Sequence, residues 1–406
     1  MTKYSKLFSF AFFSIVILLG LVFYQFRSQE SSLSLEFYTD EGHIDELSGV
    51  NFTGYAFSST RTIYAPHFEF EEGEFTFRTD QPLIQQLDYQ YNPGMNRYVR
   101  DYRSFMRGKA RHLSLFTETE TSIYYTATQS NTNWQAAPDE HVFISHFNKE
   151  TEEETTFEAL LTGGANHNVV ATYVDDSALT LVTTGVPEGN SEHSWLIYAF
   201  DFDQPQEELS PVADINRLTG SDMIQADSSR LKTERYIPFR SLQTGEIDAF
   251  GNVIEYHIDS YYIYDTQSNT LKEMPDFEEG DMVVLSELER IITGNIQGEK
   301  AVWYEWAFDT QELNELGSTV MATSSIGRIH DIFPWLEFNE NIHLTNGHLY
   351  LTEDISIATE SRSLIQVLSL DTMETVFSGH IDTVNGPQDL DMDISIQELS
   401  FDPSFF

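Results

Sequence analysis

Cysteine is absent from all 406 residues of the chain. Its absence excludes disulfide bonds, cysteine-ligated zinc, iron–sulfur clusters, thiol nucleophiles and a lipidated N-terminal cysteine. Because disulfides are common in proteins that mature in oxidising compartments, this composition fits a bacterial cell surface better than a product of the endoplasmic reticulum.

Basic residues are scarce, with 22 Lys and Arg against 65 Asp and Glu and a formal net charge of −43. A surface with this excess of carboxylates repels phosphates, which argues against a role on DNA or RNA. The acidic residues are spread along the chain, so we interpret them as a solvated coat. A specific polyanionic binding face is the alternative.

Aromatic residues are abundant, with 30 Phe and 20 Tyr, and hydrophobic residues make up 40% of the chain. Disordered segments rarely carry such a composition. Aromatic and β-branched side chains favour β-strands, so the chain is expected to fold into an all-β body.

The N-terminus carries an uncharged apolar run from Leu7 to Phe26, "LFSFAFFSIVILLGLVFYQF", after Lys3 and Lys6. A helix of this length reaches ~30 Å, which matches the hydrocarbon core of a bilayer. A cleaved signal peptide is the rival, but the run ends without the small residues of a cleavage site. The flanking lysines predict a single-pass signal anchor with a cytoplasmic N-terminus and an extracellular main domain.

A strand–turn–strand phrase recurs along the rest of the chain. An aromatic-rich strand runs into an Asp or Asn, polar residues follow, and a second strand begins. The turn residues are Asp40, Asn148, Asp201, Asp265, Asp309 and Asp371, and "LIQQLDYQYN" from Leu83 is a weaker copy. An Asp or Asn side chain at such a position accepts a backbone hydrogen bond and closes the turn.

These copies mark units of about 55 residues, and the phrase resembles β-propeller repeats in general. The resemblance implies an all-β, β-propeller-like fold of about seven blades, within a range of six to eight, and implies no activity. Two stacked β-domains are the rival. The domain organisation is then residues 1–27 for the cytoplasmic tip and anchor, 28–33 for a linker, and 34–406 for the propeller-like domain. Leu390–Phe401 is expected to complete a blade with Ser34–Val50.

One segment opposes the acidic background. Six of the 22 cationic residues lie between positions 97 and 111, and they are Arg97, Arg100, Arg103, Arg107, Lys109 and Arg111. Spacings of 3, 3 and 4 place the first four on one helical face, while Val99, Tyr102 and Met106 share another. The pattern predicts one short amphipathic helix inserted among strands, ended by Gly108.

Three roles are open for this cationic segment. Its Arg side chains clamp carboxylates of neighbouring blades, bind an anionic ligand such as a carboxylate, phosphate or acidic wall polymer, or contact an acidic or membrane-embedded partner. Arg suits planar, bidentate recognition of anions better than Lys. If the protein has a recognition site, these six residues are its candidates.

Catalytic and metal-binding patterns are weak elsewhere. The sequence has no helical His-x-x-x-His spacing, no calcium loop, no phosphate-binding loop and no Gly-x-Ser-x-Gly elbow. We therefore expect no metal and no cofactor, and a non-enzymatic binding or accessory module that recognises a surface ligand or a partner protein in the membrane. A tethered hydrolase or lyase acting on carbohydrate or wall polymer is the alternative, and a purely structural surface protein is a third possibility.

Overall fold

The structure is a computed structural model of the whole chain. It describes residue 20 and residues 34–58, 67–71, 73–77, 93–128, 140–175, 178–187, 193–226, 235–245, 256–275, 281–287, 290–297, 300–320, 342–357, 360–384 and 392–401. The chain divides into two compact units. Unit 1 comprises residues 1–93, 354–365 and 377–402, and unit 2 comprises residues 94–353, 366–376 and 403–406.

Strands dominate the described residues. The first elements are β1 (Leu35–Gly42), β2 (Val50–Ser58), β3 (His67–Glu71), β4 (Glu74–Phe77), α1 (Pro93–Asp101), β5 (Phe116–Glu118), β6 (Ser122–Thr128), β7 (His141–Asn148) and β8 (Glu154–Leu161). They are followed by β9 (Gly164–Asp175), β10 (Ala178–Pro187), β11 (Ser194–Asp201), β12 (Glu208–Leu209), β13 (Ala213–Asp214), α2 (Ile215–Thr219), β14 (Ile224–Ala226), β15 (Tyr236–Thr244), β16 (Tyr256–Asp265) and β17 (Thr270–Glu273). The last are β18 (Asp281–Glu287), β19 (Arg290–Gln297), β20 (Lys300–Ala307), β21 (Glu312–Val320), β22 (Ile342–Thr345), β23 (His348–Ile357), β24 (Glu360–Ser369), β25 (Thr375–Thr383) and β26 (Met392–Phe401).

Short 3₁₀ helices at Ile44–Leu47 and Leu113–Leu115 complete the described elements. The prediction of an all-β fold is confirmed.

Unit 1 joins strands from the two ends of the sequence. β2 pairs antiparallel with β26 on one side and with β3 on the other, and β3 pairs with β4. β1 pairs antiparallel with β25. The buried side chains of this sheet include Phe52, Ala56, Phe68, Ile394 and Leu399, and the rings of Phe52 and Phe70 stack with centroids 4.4 Å apart.

The predicted partner of the C-terminal strand was wrong in detail. A strand does form within Leu390–Phe401, but it pairs with Val50–Ser58, the segment after the one predicted. Most of the segment Ser34–Val50 is already paired with another strand or helical, so β26 pairs with the strand that follows it, β2. β1 pairs with β25 and is bulged between Thr39 and Glu41, and Ile44–Leu47 then forms a 3₁₀ helix.

Unit 2 contains successive antiparallel sheets built mostly from neighbouring strands. Their strand orders are β12-β8-β7-β6-β5, β13-β11-β10-β9, β14-β15-β16-β17 and β18-β19-β20-β21, and β22 pairs with β23 as a hairpin. The short β12 follows β11 in the chain but pairs in parallel with β8. The chain therefore returns after β11 to the sheet that contains β5 to β8. Because most pairings are between consecutive strands, each sheet is assembled largely from local sequence.

The predicted turns form at several of the marked positions. The Oδ1 atom of Asn148 accepts hydrogen bonds from the backbone N–H groups of Glu150 and Thr151, both at 2.9 Å. Asp201 accepts from Asp203 and Gln204, and Asp265 accepts from Gln267. Each of these turns follows the third strand of a unit 2 sheet.

Two other predicted turn positions are not seen as closed turns in the structure. Asp40 lies inside β1 at the bulge, so it does not close a turn. The weaker copy from Leu83 lies outside the described residues.

The predicted membrane anchor also falls outside the described residues, except for Gly20. Within the part of the chain that the structure describes, no helix has the length and apolar character needed to cross a bilayer. The structure therefore gives no support to the N-terminal transmembrane helix, and the anchor stays a prediction.

Candidate functional site

The cationic segment, residues 97–111, begins on the helix α1 and continues as a series of turns. Helical hydrogen bonds persist past the end of α1, from Tyr102 N–H to the Tyr98 carbonyl and from Met106 N–H to the Tyr102 carbonyl, both at 2.9 Å. The next bond, from Arg107 N–H to Ser104, spans only three residues, so the backbone tightens. Gly108 follows with a φ of +81°, a left-handed conformation that favours glycine.

The structure thus contains the predicted inserted helix but ends it at Asp101, several residues before Gly108. The next strand, β5, starts at Phe116 after the 3₁₀ turn Leu113–Leu115.

One side of the segment is packed into the core of unit 2. Met95, Tyr98, Phe105 and Met106 are buried, and Val99 and Tyr102 pack against the same cluster. The Tyr98 ring stacks on Phe116 with a centroid distance of 5.4 Å, and the Phe105 ring lies 5.0 Å from Phe147. These aromatic contacts fix the segment against the sheet that contains β5 and β7.

The first end of the segment is held by a buried carboxylate. Glu118 on β5 has a side chain that is only 5% exposed, and it receives a charge-assisted hydrogen bond from Arg97. Tyr98 donates its hydroxyl to the same carboxylate at 2.8 Å, and the Lys149 ammonium lies 2.6 Å away. Burial, followed by the Glu118 charge, raises the pKa of Tyr98 well above its usual value.

The second end is held by Lys109. Its ammonium donates to the Phe105 carbonyl at 2.6 Å and to Glu154 on β8 at 2.7 Å, and it lies 4.0 Å from the Phe105 ring centroid. The Lys109 side chain is 9% exposed. Beside it, the Ala110 N–H donates to the Tyr125 hydroxyl at 3.1 Å.

The middle of the segment is different because its cations face solvent. Arg100 forms an ion pair with its neighbour Asp101 at 2.9 Å, with side chains 61% and 41% exposed. Arg103 and Arg107 are exposed and make no hydrogen bond or ion pair with any other described residue. Arg111, at the end of the segment beyond Lys109, is exposed as well. The structure therefore separates the six candidate residues into two anchors, Arg97 and Lys109, and four solvent-facing guanidinium groups.

Sequence reasoning missed a second polar feature, a buried chain of side chains in unit 2. The Glu140 carboxylate accepts from both the backbone N–H and, at 3.2 Å, Nδ1 of His167. Nε2 of His167 lies 2.8 Å from the Tyr198 hydroxyl, which also lies 3.1 Å from the Thr162 carbonyl. All three side chains are almost fully buried.

Two glycines make room for this His167 ring. A Cβ atom at Gly164 would lie 3.1 Å from Nε2 of His167, and one at Gly185 would lie 2.8 Å from its Cδ2. Gly164 and Gly185 therefore allow the close approach of the His167 ring to the backbone of β9 and β10. Nothing in the sequence indicated that a Glu 27 residues earlier would meet this histidine.

Metal binding has no support in the described ranges: no three His, Asp or Glu side chains there are grouped so that they could hold an ion.

Comparison with protein families and curated proteins gives no match. Similar solved structures include TolB from Acinetobacter baumannii, with 11% identity and a TM-score of 0.34 over 87% of this chain and 66% of that one, just under two thirds of its length. The β-propeller domain of the trilobed protease from Pyrococcus furiosus has 10% identity and a TM-score of 0.35 over 70% of this chain and 81% of that one. An oligogalacturonate lyase in complex with manganese has 9% identity and a TM-score of 0.35 over 84% of both chains. Likenesses of this size carry no argument about activity, so the proposals below rest on the geometry.

Proposed function

We propose that the protein is a membrane-anchored, extracytoplasmic binding or accessory module that recognises an anionic ligand or an acidic partner through Arg100, Arg103, Arg107 and Arg111. The observation that carries the proposal is the solvent-facing position of these guanidinium groups, three of which lie between the ion-paired anchors Arg97 and Lys109, with Arg111 just after the second anchor. The anchors stabilise the segment, so the exposed cations are presented on a fixed support.

The electrostatic setting favours this role. In a chain with 65 acidic and 22 basic residues, a cluster of cations would find many carboxylates to pair with. Arg103 and Arg107 nevertheless make no ion pair with the described residues around them. A guanidinium in water retains its five donors and can bind a carboxylate or phosphate with two parallel hydrogen bonds.

The anchor and the fold complete the proposal. The apolar run Leu7–Phe26 would tether the domain to the membrane. For the fold, we propose that each group of consecutive antiparallel strands is one propeller blade. The turn residues Asn148, Asp201, Asp265, Asp309 and Asp371 mark five such groups, and β26 with β2, β3 and β4 supplies another, so the described residues account for six blades, within the predicted range of six to eight.

The assignment of β26 to a blade has a direct test. Deletion of the residues after Pro387 removes β26 and leaves the β2 edge without its partner over nine residue pairs. We expect the truncated protein to lose its cooperative thermal transition. An unchanged melting curve would refute the assignment.

Charge reversal tests the binding role. The double variant Arg103→Glu plus Arg107→Glu changes two exposed residues and leaves both anchors intact. Arg217→Glu is the matched control, because Arg217 is an exposed arginine on α2 away from the segment. Crosslinking and affinity capture from membranes would compare the partners of the three proteins, and polyphosphate and polygalacturonate would serve as soluble phosphate- and carboxylate-bearing probes.

We expect the double variant to lose the captured partner or the polyanion while its melting temperature stays that of the wild type, and the control to behave as wild type. Binding by the wild type should weaken with rising salt, since exposed charges are screened. Unchanged binding by the double variant would remove the segment from any recognition role.

The alternative, a tethered hydrolase or lyase on carbohydrate or wall polymer, is distinguished by turnover. Two facing carboxylates ~5–10 Å apart would be its signature. Release of reducing or unsaturated sugar ends from wall polymers by the purified protein would favour it over a binding module.

A further inference from the structure

A cavity of about 260 Å³ lies in unit 2, away from the cationic segment in sequence. It is bordered by the end of β10, the start of β11, the turn after α2, and strands β14 and β15. Trp195 and Leu242 contribute apolar surface, and Thr184, His193 and Asp222 contribute polar groups. Four separate stretches of the chain therefore converge on one concave site.

The aromatic wall of this cavity is fixed by its own hydrogen bonds. The indole N–H of Trp195 donates to the Ile224 carbonyl at 2.6 Å, and its ring packs edge-on against Phe239 at a centroid distance of 5.9 Å. The Trp195 backbone N–H donates to Oδ1 of Asn216 at 2.9 Å, and the Asn216 amide donates to the Asp222 carbonyl at 3.1 Å. The half-buried indole is thus preorganised before any ligand arrives.

Three polar side chains at the cavity remain unused. Among the described residues, none makes a hydrogen bond or ion pair with the hydroxyl of Thr184, the imidazole of His193 or the carboxylate of Asp222. Together they offer a hydroxyl that donates and accepts, an imidazole that does the same and a carboxylate that accepts. A ligand ring that carries several hydroxyl groups can form hydrogen bonds with all three side chains, because each hydroxyl both donates and accepts.

We propose that this cavity binds a single neutral sugar ring, with one apolar face of the sugar on Trp195 and Leu242 and its hydroxyls on Thr184, His193 and Asp222. The volume is below the ~300–1,000 Å³ of pockets for larger ligands, which limits the occupant to one ring. No Lys or Arg is found among the described residues of the lining, and Asp222 would repel an anion. This site is independent of the anion-binding role proposed above.

The test uses the full chain and methyl glycosides of glucose, galactose, mannose and N-acetylglucosamine as probes, with saturation-transfer NMR and calorimetry as readouts. The variant Asp222→Ala removes an exposed carboxylate at the cavity. Asp203→Ala is the control, because Asp203 is an exposed aspartate in the turn after β11 and does not line the cavity. Tetramethylammonium is included because an indole beside a carboxylate also suits a small organic cation.

We expect saturable millimolar binding of at least one glycoside, weakened about tenfold or more in Asp222→Ala, since the lost acceptor leaves sugar hydroxyls unpaired. His193→Gln should weaken binding less, because Gln retains one donor and one acceptor. Binding that is equal in wild type, Asp222→Ala and Asp203→Ala would overturn the site. Binding of tetramethylammonium without any glycoside would overturn the sugar assignment, and so would the failure of every probe to bind.

Discussion

The two anchors of the cationic segment, Arg97 and Lys109, carry the same charge as the cations between them, but the anchors are largely buried and the others face solvent. Arg97 and Lys109 lie against buried or half-buried carboxylates on β5 and β8, with side chains 25% and 9% exposed. Arg100 is 61% exposed, and Arg103 and Arg107 are exposed too. Because electrostatic interactions strengthen as water is excluded, the same charge stabilises the fold at the ends and is available to a partner in the middle.

This difference teaches how to divide a charged cluster into structural and functional parts. A helix pattern groups Arg97 with Arg100, Arg103 and Arg107, but burial separates it from them. The partner decides the outcome: Glu118 comes from a strand 21 residues away, whereas Asp101 is the adjacent residue in the chain. The following predictions test the division, beginning with the largest effect.

The largest effect is expected from Glu118→Ala. The substitution leaves Arg97 and the Tyr98 hydroxyl without their common acceptor in a nearly buried position, and it removes the carboxylate that is ion-paired with Lys149. Breaking such a pair costs on the order of 3 kcal/mol or more, because the remaining charges are left partly desolvated. Chemical denaturation would measure the loss. The control Glu120→Ala removes an exposed acid two residues along, and we expect a change within about 0.5 kcal/mol. Equal losses of stability in the two variants would show that the nearly buried Glu118 stabilises the fold no more than an exposed acid does.

A smaller effect is expected from Lys109→Met. Methionine keeps the packing of the side chain on Phe105 but removes the bonds to the Phe105 carbonyl and Glu154. We expect a loss of about 1–2 kcal/mol in the free energy of unfolding. The same substitution at Arg107, which is exposed, should change it by less than about 0.5 kcal/mol. A destabilising Arg107→Met would show that the middle of the segment is also structural.

The burial of Tyr98 should also make the stability of the protein depend on pH in alkaline solution. The pKa of Tyr98 is raised in the folded protein by burial and then by Glu118. Above pH ~10 the unfolded chain releases this proton while the folded protein retains it, so stability is present below pH ~10 and falls as the pH rises. One such group contributes a slope of up to ~1.4 kcal/mol per pH unit. Denaturation of wild type and Tyr98→Phe between pH 8 and 11 should show a shallower alkaline decline in the variant, and parallel curves would contradict the assignment.

The local parts of the fold were predictable from the sequence. Aromatic-rich strands ending in Asn148, Asp201 or Asp265 gave the correct third strand and turn of successive sheets, because an Asp or Asn turn is closed by neighbouring backbone groups. The presence of an inserted helix followed from spacing, and so did the burial of Met106 and the partial burial of Tyr102, which lie in the turns just after it.

The non-local parts were predictable only in outline. Pairing between the two ends of the chain was expected, but its partner strand was not: β26 pairs with β2 across more than 300 residues, and no pattern in either strand identifies the other. The contacts of Arg97 with Glu118 and of Glu140 with His167 likewise join residues that are more than 20 positions apart. Periodicity predicts which face of a helix or strand is buried, but which charged groups are desolvated depends on the strands that the folded protein brings together.

The smallest effect is expected at the exposed pair of Arg100 and Asp101. A double-mutant cycle with Arg100→Ala and Asp101→Ala would isolate their coupling energy from the helix propensity of alanine. Both side chains are well exposed, so solvent and salt screen the 2.9 Å contact and the cost of ordering a long side chain offsets most of its gain. We expect a coupling of less than about 0.5 kcal/mol that vanishes at high salt. A coupling that approached the cost of Glu118→Ala would mean that Arg100 is committed to the fold, and the surface available to an anionic partner would then shrink to Arg103, Arg107 and Arg111.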